Sequence, residues 1–326
     1  MAITIERLPD AYRQMQVIRK FEEAIRSLFQ QGRIRGSFHP CVGQEATAVG
    51  ACWPLRKDDY LTCTYRGHGH ALAKGLSVRA AMAEMLGKAT GCSKGKGGSM
   101  HFTDPTVGLL GANAIVGAGL PHAAGAALAS QMQKTDRVAL TVFGEGAVNQ
   151  GVFHETLNLA ATWKLPVIFV CENNLFSEMT PSHETTSEVE TYRRASSYKM
   201  PALRVDGNDL EIMYSAVETA VLRARTGAGP TYIEAMTYRL WGHMMGDPEV
   251  YRTKEDVSRA RKVEPLVRLG KRLREIGRSD ADINMLEAEA EAIIADAIEF
   301  AEASPIPDAA EALTEVFSEF STQPWQ

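Results

Sequence analysis

Two short, mostly apolar runs stand out in the hydrophobic pattern of the chain, at positions 138–143, where Thr141 is the one polar residue, and 167–171. Between them, residues 153–163 carry apolar side chains at helical spacing, and a Leu-Pro pair follows this stretch. Strand, helix and strand in this order predict a β-α-β unit. Because both strands are apolar on both faces, they fit a parallel sheet covered by helices on each side. We therefore predict an α/β fold with a doubly wound, mostly parallel sheet.

The remaining pattern predicts further elements and a change of composition near residue 253. Small residues dominate a predicted helix over 115–133, which we expect to pack closely against another helix or a partner subunit. The other predicted elements are a helix from 9 to 32, strands at 61–65 and 231–236, a helix at 76–85, glycine-rich loops over 91–111 and charged helices from 253 to about 320. We expect residues 1–252 to form the α/β domain and residues 253–326 a helical C-terminal extension.

Composition places the chain among ordinary globular proteins and argues against several classes of function. The 326 residues carry a formal net charge of −5, and no run of Lys or Arg provides the basic footprint of a nucleic-acid-binding surface. The five cysteines form neither a CxxC pair nor a zinc-ligand pattern, which favours reduced thiols. We recognise no signal-peptide pattern and no long apolar span, so we expect a cytoplasmic protein without membrane segments.

Polar residues follow both apolar runs at the point where each predicted strand ends. Gly144-Glu145-Gly146 follows the first strand, and the second ends at Glu172, two residues before Asn174. Glu145 and Asn174 are 29 positions apart, which is the length of one crossover, so the two strand ends are expected to lie side by side. Carboxylate and amide oxygens suit Mg²⁺, and the glycines allow phosphate groups to approach the backbone.

Nucleotide-binding folds are the first alternative for a glycine-rich turn after a strand. The pattern that begins at Gly117 ends in His122, and the one that begins at Gly144 ends in Asn149, so neither has the third glycine of a nicotinamide-binding turn. No P-loop pattern occurs in the chain. These observations disfavour both a nicotinamide-dependent oxidoreductase and a P-loop enzyme.

A Gly-acid-Gly turn followed about 30 residues later by two asparagines resembles the thiamine diphosphate motif. Five blocks occur in order around it: YRGHGHALAKGLS, KGKGGSMHF, GANAIVGAG, AVNQGVFHETLNLAATWKLPVIFVCENN and GHMMGDPEVYRT. Together they resemble the alpha subunits of pyruvate, branched-chain 2-oxo acid and acetoin dehydrogenases, from about residue 12 to about residue 255. The resemblance implies a thiamine-diphosphate-dependent oxidoreductase that decarboxylates a 2-oxo acid or cleaves acetoin.

The resemblance also implies roles for matching residues. The implied ligands of Mg²⁺ are the side chains of Glu145 and Asn174 and the backbone carbonyl of Phe176. The implied contacts of thiamine diphosphate are Tyr65 and Arg66 with the diphosphate, the backbone amides of Gly146 and Ala147 with the same group, and the backbones of Ala114 and Val116 with the aminopyrimidine. Two histidines have implied catalytic roles, His243 beside the diphosphate or the reacting carbons and His39 facing the substrate.

The same resemblance implies partner proteins. In this family the glutamate that activates the aminopyrimidine comes from a beta subunit, so we expect an obligate beta partner in a heterotetramer, and a lipoyl-bearing acyltransferase that receives the acyl group. Glu145 stands where the motif usually has aspartate, which leaves the metal preference open. Two alternatives share parts of the pattern: one half of a split transketolase-like enzyme, and a non-catalytic scaffold subunit.

Overall fold

A six-stranded parallel sheet forms the centre of the protein, whose computed structural model describes residues 3–314. The strands are β1 (Tyr60–Thr64), β2 (Leu109–Asn113), β3 (Ala139–Gly144), β4 (Val167–Asn173), the short hairpin pair β5 (Phe176–Ser177) and β6 (Thr180–Pro181), β7 (Ala202–Asp206) and β8 (Thr231–Met236). The order across the large sheet is β2-β1-β3-β4-β8-β7. All neighbouring strands in it run parallel, so the predicted sheet type is confirmed.

Helices cover the sheet and continue beyond it along the chain. They are α1 (Leu8–Gln30), α2 (Glu45–Cys52), α3 (His68–Lys74), α4 (Val78–Met85), α5 (Gly119–Met132), α6 (Gly151–Thr162), α7 (Ser182–Thr185), α8 (Thr191–Ser196), α9 (Leu210–Arg225), α10 (Lys254–Arg261), α11 (Pro265–Glu275) and α12 (Asp280–Ala303). Across residues 3–314, no helix combines the length and the apolar character needed to cross a membrane.

Two hydrophobic cores lie on opposite faces of the sheet. In β3, Leu140 and Val142 belong to the core that contains α1 and α9, whereas Ala139 and Phe143 belong to the core that contains α5 and α6. Successive side chains of a strand point to opposite faces, so this alternation shows that both faces of β3 are covered. The doubly wound α/β fold predicted from the apolar runs is therefore confirmed.

The carboxyl ends of β3 and β4 meet at one edge of the sheet. Gly144 pairs in register with Glu172, and Glu145 and Asn174 follow these adjacent strand ends. This is the arrangement that the length of the crossover predicted. It places the acid and the amide where doubly wound sheets bind their ligands.

Several elements differ from the sequence-based predictions. The stretch 91–111 was predicted as loops, but its last residues enter β2, an edge strand in which Leu110 is exposed and Gly111 lacks a side chain. Neither residue contributes to an apolar run, so the strand has no clear sequence signal. Helix α3 was also not predicted; it is short and begins with two histidines around a glycine. The small-residue helix begins only at Gly119.

Helix α5 buries one face and leaves the other open. Leu120, Ala123 and Ala127 are buried against the sheet and α6, whereas His122 and Gly125 are exposed. Small side chains let this helix lie close to β3 and β1. Within residues 3–314 its exposed face has no covering helix, so the expectation of a partner subunit there stays a prediction.

The C-terminal part of the chain is helical, as predicted, through Ala303. Helix α12 packs along α1 and α4, so it lies against the α/β core. Residues 304–308 are not helical, and a short 3₁₀ helix follows over Ala309–Leu313. The last part of the predicted extension, residues 315–326, lies outside the described residues. The proposed division at residue 252 stays a prediction.

Candidate active site

A cavity of about 360 Å³ lies at the carboxyl edge of the sheet, where β1, β3 and β4 end. Nine of the predicted site residues line it: Tyr65, Arg66, Val116, Glu145, Gly146, Ala147, Asn174, Phe176 and His243. Ala114 does not line the cavity itself but lies between Asn113 and Ile115, which do. His39 is not among the lining residues, but its ring contacts those of Tyr65 and His243, which are. The structure therefore brings together residues that are far apart in the chain.

Glu145 presents a buried and partly unsatisfied carboxylate to the cavity. Its side chain is 2% exposed, and Oε2 accepts a hydrogen bond from the backbone N–H of Asn174 at 3.2 Å. Oε1 has no hydrogen-bond partner. Burial raises the pKa of this carboxyl above its ordinary value. A buried carboxylate oxygen without a partner is costly, and a cation would remove that cost.

The backbone after β4 turns sharply and exposes polar groups beside Glu145. Asn174 Oδ1 accepts a hydrogen bond from the backbone N–H of Phe176 at 3.3 Å. Between them, Leu175 has a φ of 74°, a left-handed conformation that residues other than glycine rarely adopt. Strained backbone of this kind is concentrated at functional sites.

Gly146 lets a second piece of backbone approach closely. A Cβ atom on Gly146 would lie 2.5 Å from Ser177 Oγ and 3.1 Å from Ser177 Cβ, so a side chain there would require Ser177 to move. Gly146 and the following Ala147 both line the cavity.

Two arginines bring positive charge into the buried side of the cavity. Arg66 donates to the carbonyls of Pro40 (2.7 Å) and His243 (3.1 Å), and Arg239 donates to the carbonyl of Glu178 (2.7 Å). Within residues 3–314, neither guanidinium forms an ion pair with a carboxylate. Burial lowers the pKa of both, that of Arg239 to about 10. Two buried cations without counter-charges favour an anionic ligand.

His243 is held in one protonation state by these arginines. Its Nδ1 lies 3.0 Å from Arg239 Nη1 and 3.3 Å from Arg66 Nη2. A guanidinium can only donate, so Nδ1 accepts and the ring proton resides on Nε2. Burial and the two positive charges lower the pKa of His243 to about 3. The imidazole is therefore neutral at pH 7.

His39 and Tyr65 complete an aromatic group around His243. The His39 ring centroid lies 4.4 Å from that of Tyr65 and 4.9 Å from that of His243. Burial and then the charge of Arg66 lower the pKa of His39 to about 4, and its Nδ1 has no hydrogen-bond partner. The pairing of His39 with His243, 204 positions later in the chain, was not evident from spacing.

Sequence reasoning missed three buried polar residues of the cavity wall: Gln44, Glu172 and Arg239. Arg239 lies four residues before His243, and Gln44 lies five residues after His39. For Arg239 and Gln44, the short distance in sequence to a predicted histidine is the one signal that could have identified them. Glu172 ends an apolar strand, a position that had been noted without a role.

The donor set also bears on the kind of metal that the cavity could hold. Among residues 3–314, no group of three or more His, Cys, Asp or Glu side chains is arranged to hold a metal ion. The predicted ligands include only one carboxylate, and the other two are an amide oxygen and a backbone carbonyl. Such hard oxygen donors fit Mg²⁺ with phosphate oxygens rather than a transition metal.

Geometry and charge define a class of protein: a doubly wound α/β protein with an anion-accommodating cleft at the carboxyl edge of its sheet. Residues 13–310 match the family model described as "Dehydrogenase E1 component". The chain therefore belongs to the dehydrogenase E1 component family, which confirms the resemblance seen in the sequence. Membership favours the dehydrogenase interpretation over the transketolase-like one.

Individual members of the family can also be compared with this chain. The alpha subunit of acetoin:2,6-dichlorophenolindophenol oxidoreductase from Bacillus subtilis (strain 168) is 44% identical, over 97% of this chain and 95% of the relative. The pyruvate dehydrogenase E1 component subunit alpha from Rhizobium meliloti (strain 1021) is 40% identical, over 94% and 88%. The acetoin:2,6-dichlorophenolindophenol oxidoreductase alpha subunit from Cupriavidus necator is 40% identical, over 96% and 94%. The chain is thus similar along almost its whole length to alpha subunits of both kinds.

Proposed function

We propose that this chain is the alpha subunit of a thiamine-diphosphate-dependent dehydrogenase that decarboxylates a pyruvate-like 2-oxo acid or cleaves acetoin. The acyl group then passes to the lipoyl group of an acyltransferase partner. One observation carries the proposal: in the described part of the chain, Arg66 and Arg239 lie buried without carboxylate partners in the cleft where Glu145 has an unpartnered oxygen. A diphosphate with a divalent cation satisfies all three groups.

The cation is best assigned as Mg²⁺. Glu145 would bind it through Oε1, Asn174 through its side-chain oxygen and Phe176 through its backbone carbonyl. The support is the unpartnered oxygen of Glu145 and the turn that sets Asn174 and Phe176 beside it. Glutamate has one methylene more than the usual aspartate, so Mn²⁺ and Ca²⁺ are competing cations in this site.

The diphosphate would be held from two sides. Tyr65 and Arg66, after β1, face it from one side, with Arg239 as a second guanidinium. Gly146 and Ala147 offer backbone N–H groups from the turn after β3, and both line the cavity. Arginine suits paired phosphate oxygens because its donors lie in one plane.

When bound, thiamine diphosphate supplies a thiazolium ring that accepts the electron pair released as the bond beside the substrate carbonyl breaks. The two histidines of this chain then have distinct tasks. His243 holds its proton on Nε2 and can donate a hydrogen bond from it to an oxygen of the substrate or cofactor, while its Nδ1 is fixed by arginines. His39 is neutral with an unpartnered Nδ1, which can accept a proton from the substrate. The backbones of Ala114 and Val116 would contact the aminopyrimidine.

A beta subunit is proposed to complete the site, together forming a heterotetramer. Apolar side chains stand exposed on the segments that line or border the cavity, and the most exposed of them are Ile115 (70% exposed), Val116 (46%) and Leu175 (42%). Exposed apolar side chains grouped beside a cleft are typical of a surface that a partner covers. In the family resemblance, the partner also brings the glutamate that activates the aminopyrimidine.

The substrate is proposed to be pyruvate or acetoin. Relatives of both kinds match this chain over nearly its full length, at 40–44% identity. The resemblance implies that the beta subunit contributes part of the substrate pocket. Residues of both subunits would therefore determine which of the two substrates is used.

The test is to co-express this chain with candidate beta subunits and to measure thiamine diphosphate binding by calorimetry, with and without Mg²⁺. We expect tight, metal-dependent binding by the complex, with loss of at least about ten-fold in affinity in Asn174→Ala, because one oxygen ligand is removed. Dye reduction with pyruvate and with acetoin then assigns the substrate. If no complex binds the cofactor with any of the three cations, the proposal fails and the scaffold alternative takes its place.

A further inference from the structure

Gln44 is a buried side chain whose polar atoms have no hydrogen-bond partner among residues 3–314. It is 1% exposed, and both Nε2 and Oε1 lack hydrogen bonds. The residue lines the same cavity as Glu145 and Arg66. An amide buried with neither group satisfied costs free energy on folding, and such groups are rare in proteins unless they serve a ligand.

The main chain at Gln44 is fixed, so the orphaned amide is not the result of a loose segment. Its backbone N–H donates to the carbonyl of Cys41 at 2.9 Å, and its carbonyl accepts from Thr47 Oγ1 at 2.7 Å. Gly43, just before it, has a φ of +97°, and a Cβ there would lie 2.4 Å from the carbonyl oxygen of Tyr238. The contact between these segments sets where the Gln44 side chain begins.

The polar neighbours of Gln44 in the cavity wall are engaged elsewhere. Glu172 shares the single proton of the Thr47 hydroxyl with the backbone carbonyl of Gln44, and it lies 3.4 Å from His70 Nε2. Arg66 donates to the carbonyls of Pro40 and His243. These contacts leave the amide of Gln44 facing the cavity without a protein group that takes its N–H.

We propose that Gln44 donates its side-chain N–H to an oxygen of the bound diphosphate, next to Arg66. The inference deepens the proposed function and rests on it. A neutral donor suits this place because two guanidiniums already bring positive charge, and a third cation would add repulsion.

The test compares Gln44→Leu and Gln44→Glu with wild type in the complex of the full chain and its beta subunit. Binding of thiamine diphosphate and of inorganic diphosphate, each with Mg²⁺, is measured by calorimetry, and unfolding of the ligand-free complex by its melting temperature. We expect Gln44→Leu to weaken both ligands about ten-fold or more, since a hydrogen bond to a charged group is lost. Gln44→Glu weakens them further, because its carboxylate repels the anion.

Stability supplies a second signature that a purely structural role would not give. Leu in place of Gln44 removes two unsatisfied polar atoms, so the melting temperature of the ligand-free complex stays level or rises while affinity falls. The matched control is Gln16→Leu. Gln16 is also buried, but its amide donates to Tyr12 (2.9 Å) and Glu287 (3.1 Å). There we expect a lower melting temperature and unchanged ligand affinity.

Three outcomes overturn the inference, and they are distinguishable. If Gln44→Leu binds both ligands as wild type does, Gln44 does not contact them, and the proposed function stands. If only thiamine diphosphate is weakened, the amide faces the organic part of the cofactor rather than the diphosphate. If the wild-type complex binds neither ligand, the proposed function and the inference fail together.

Discussion

At the scale of single residues, Glu145 has opposite consequences for folding and for binding. Its carboxylate is buried with one oxygen unpartnered, and burial raises its pKa above the ordinary value of 4.5. In the unfolded chain the carboxyl has its ordinary pKa. At a pH between this value and the higher pKa of the folded state, the folded protein therefore binds more protons than the unfolded chain. Stability conferred by this residue is therefore highest at low pH and decreases as pH rises through that window.

Glu145→Gln should separate these two effects. We expect the ligand-free variant to melt at a higher temperature than wild type at pH 7, with a difference that shrinks as pH falls toward 4.5, because the wild-type carboxyl then becomes neutral as well. Affinity for Mg²⁺ with thiamine diphosphate should fall by at least about ten-fold, because a ligand is lost. Scanning calorimetry across pH and titration of the complex measure the two effects. Lower stability of the variant at pH 7 would contradict the account of Glu145.

At the scale of elements, one side chain of α4 organises the glycine-rich loop that follows it. Glu84 is fully buried, and its two oxygens accept four backbone N–H groups. Oε2 accepts from Ser93 (2.8 Å) and Gly95 (2.9 Å), and Oε1 accepts from Gly97 and Gly98, both at 2.9 Å. The predicted glycine-rich loop is thus fixed by a carboxylate from a helix.

Glu84→Gln should loosen this loop selectively. An amide keeps one acceptor oxygen and replaces the other by a donor, so one pair of N–H groups loses its partner. We expect the free energy of unfolding to fall by about 2 kcal/mol and amide hydrogen exchange to accelerate in one pair, either Ser93 with Gly95 or Gly97 with Gly98. Glu299→Gln, on the exposed side of α12, is the control and should change neither quantity. Equal protection of both pairs in the variant would argue against the proposed role of Glu84.

At the scale of the whole molecule, the exposed apolar residues beside the cleft bear on assembly. Ile115→Asp should reduce association with the beta subunit by about a hundred-fold, because a carboxylate buried in an interface without a partner loses its hydration. The melting temperature of the isolated chain should change little, since Ile115 is 70% exposed. Sedimentation of the mixed subunits measures association. The control is Ile306→Asp, 80% exposed and distant in sequence, and equal loss in both variants would contradict a specific surface at Ile115.

The central unit of the fold could be predicted because its signals are local. Strands β3 and β4 are apolar on both faces, and the helix between them has the length of one crossover, so their carboxyl ends had to be neighbours. That is why Glu145 and Asn174 were placed together correctly. Strand β2 escaped prediction because Leu110 is exposed and Gly111 has no side chain, so an edge position leaves little apolar pattern to detect.

The sequence by itself determined the fold class, the family and the meeting of Glu145 with Asn174, because strand periodicity and a single crossover are properties of neighbouring residues. Only the tertiary structure decided which distant groups join them. Gln44 precedes α2, Arg239 follows β8, and their convergence depends on the order of strands across the sheet. The neutral state of His243 was decided in the same way, since burial and two guanidiniums from separate segments set its pKa. Charge and desolvation act through space, so the pattern along the chain could not reveal them.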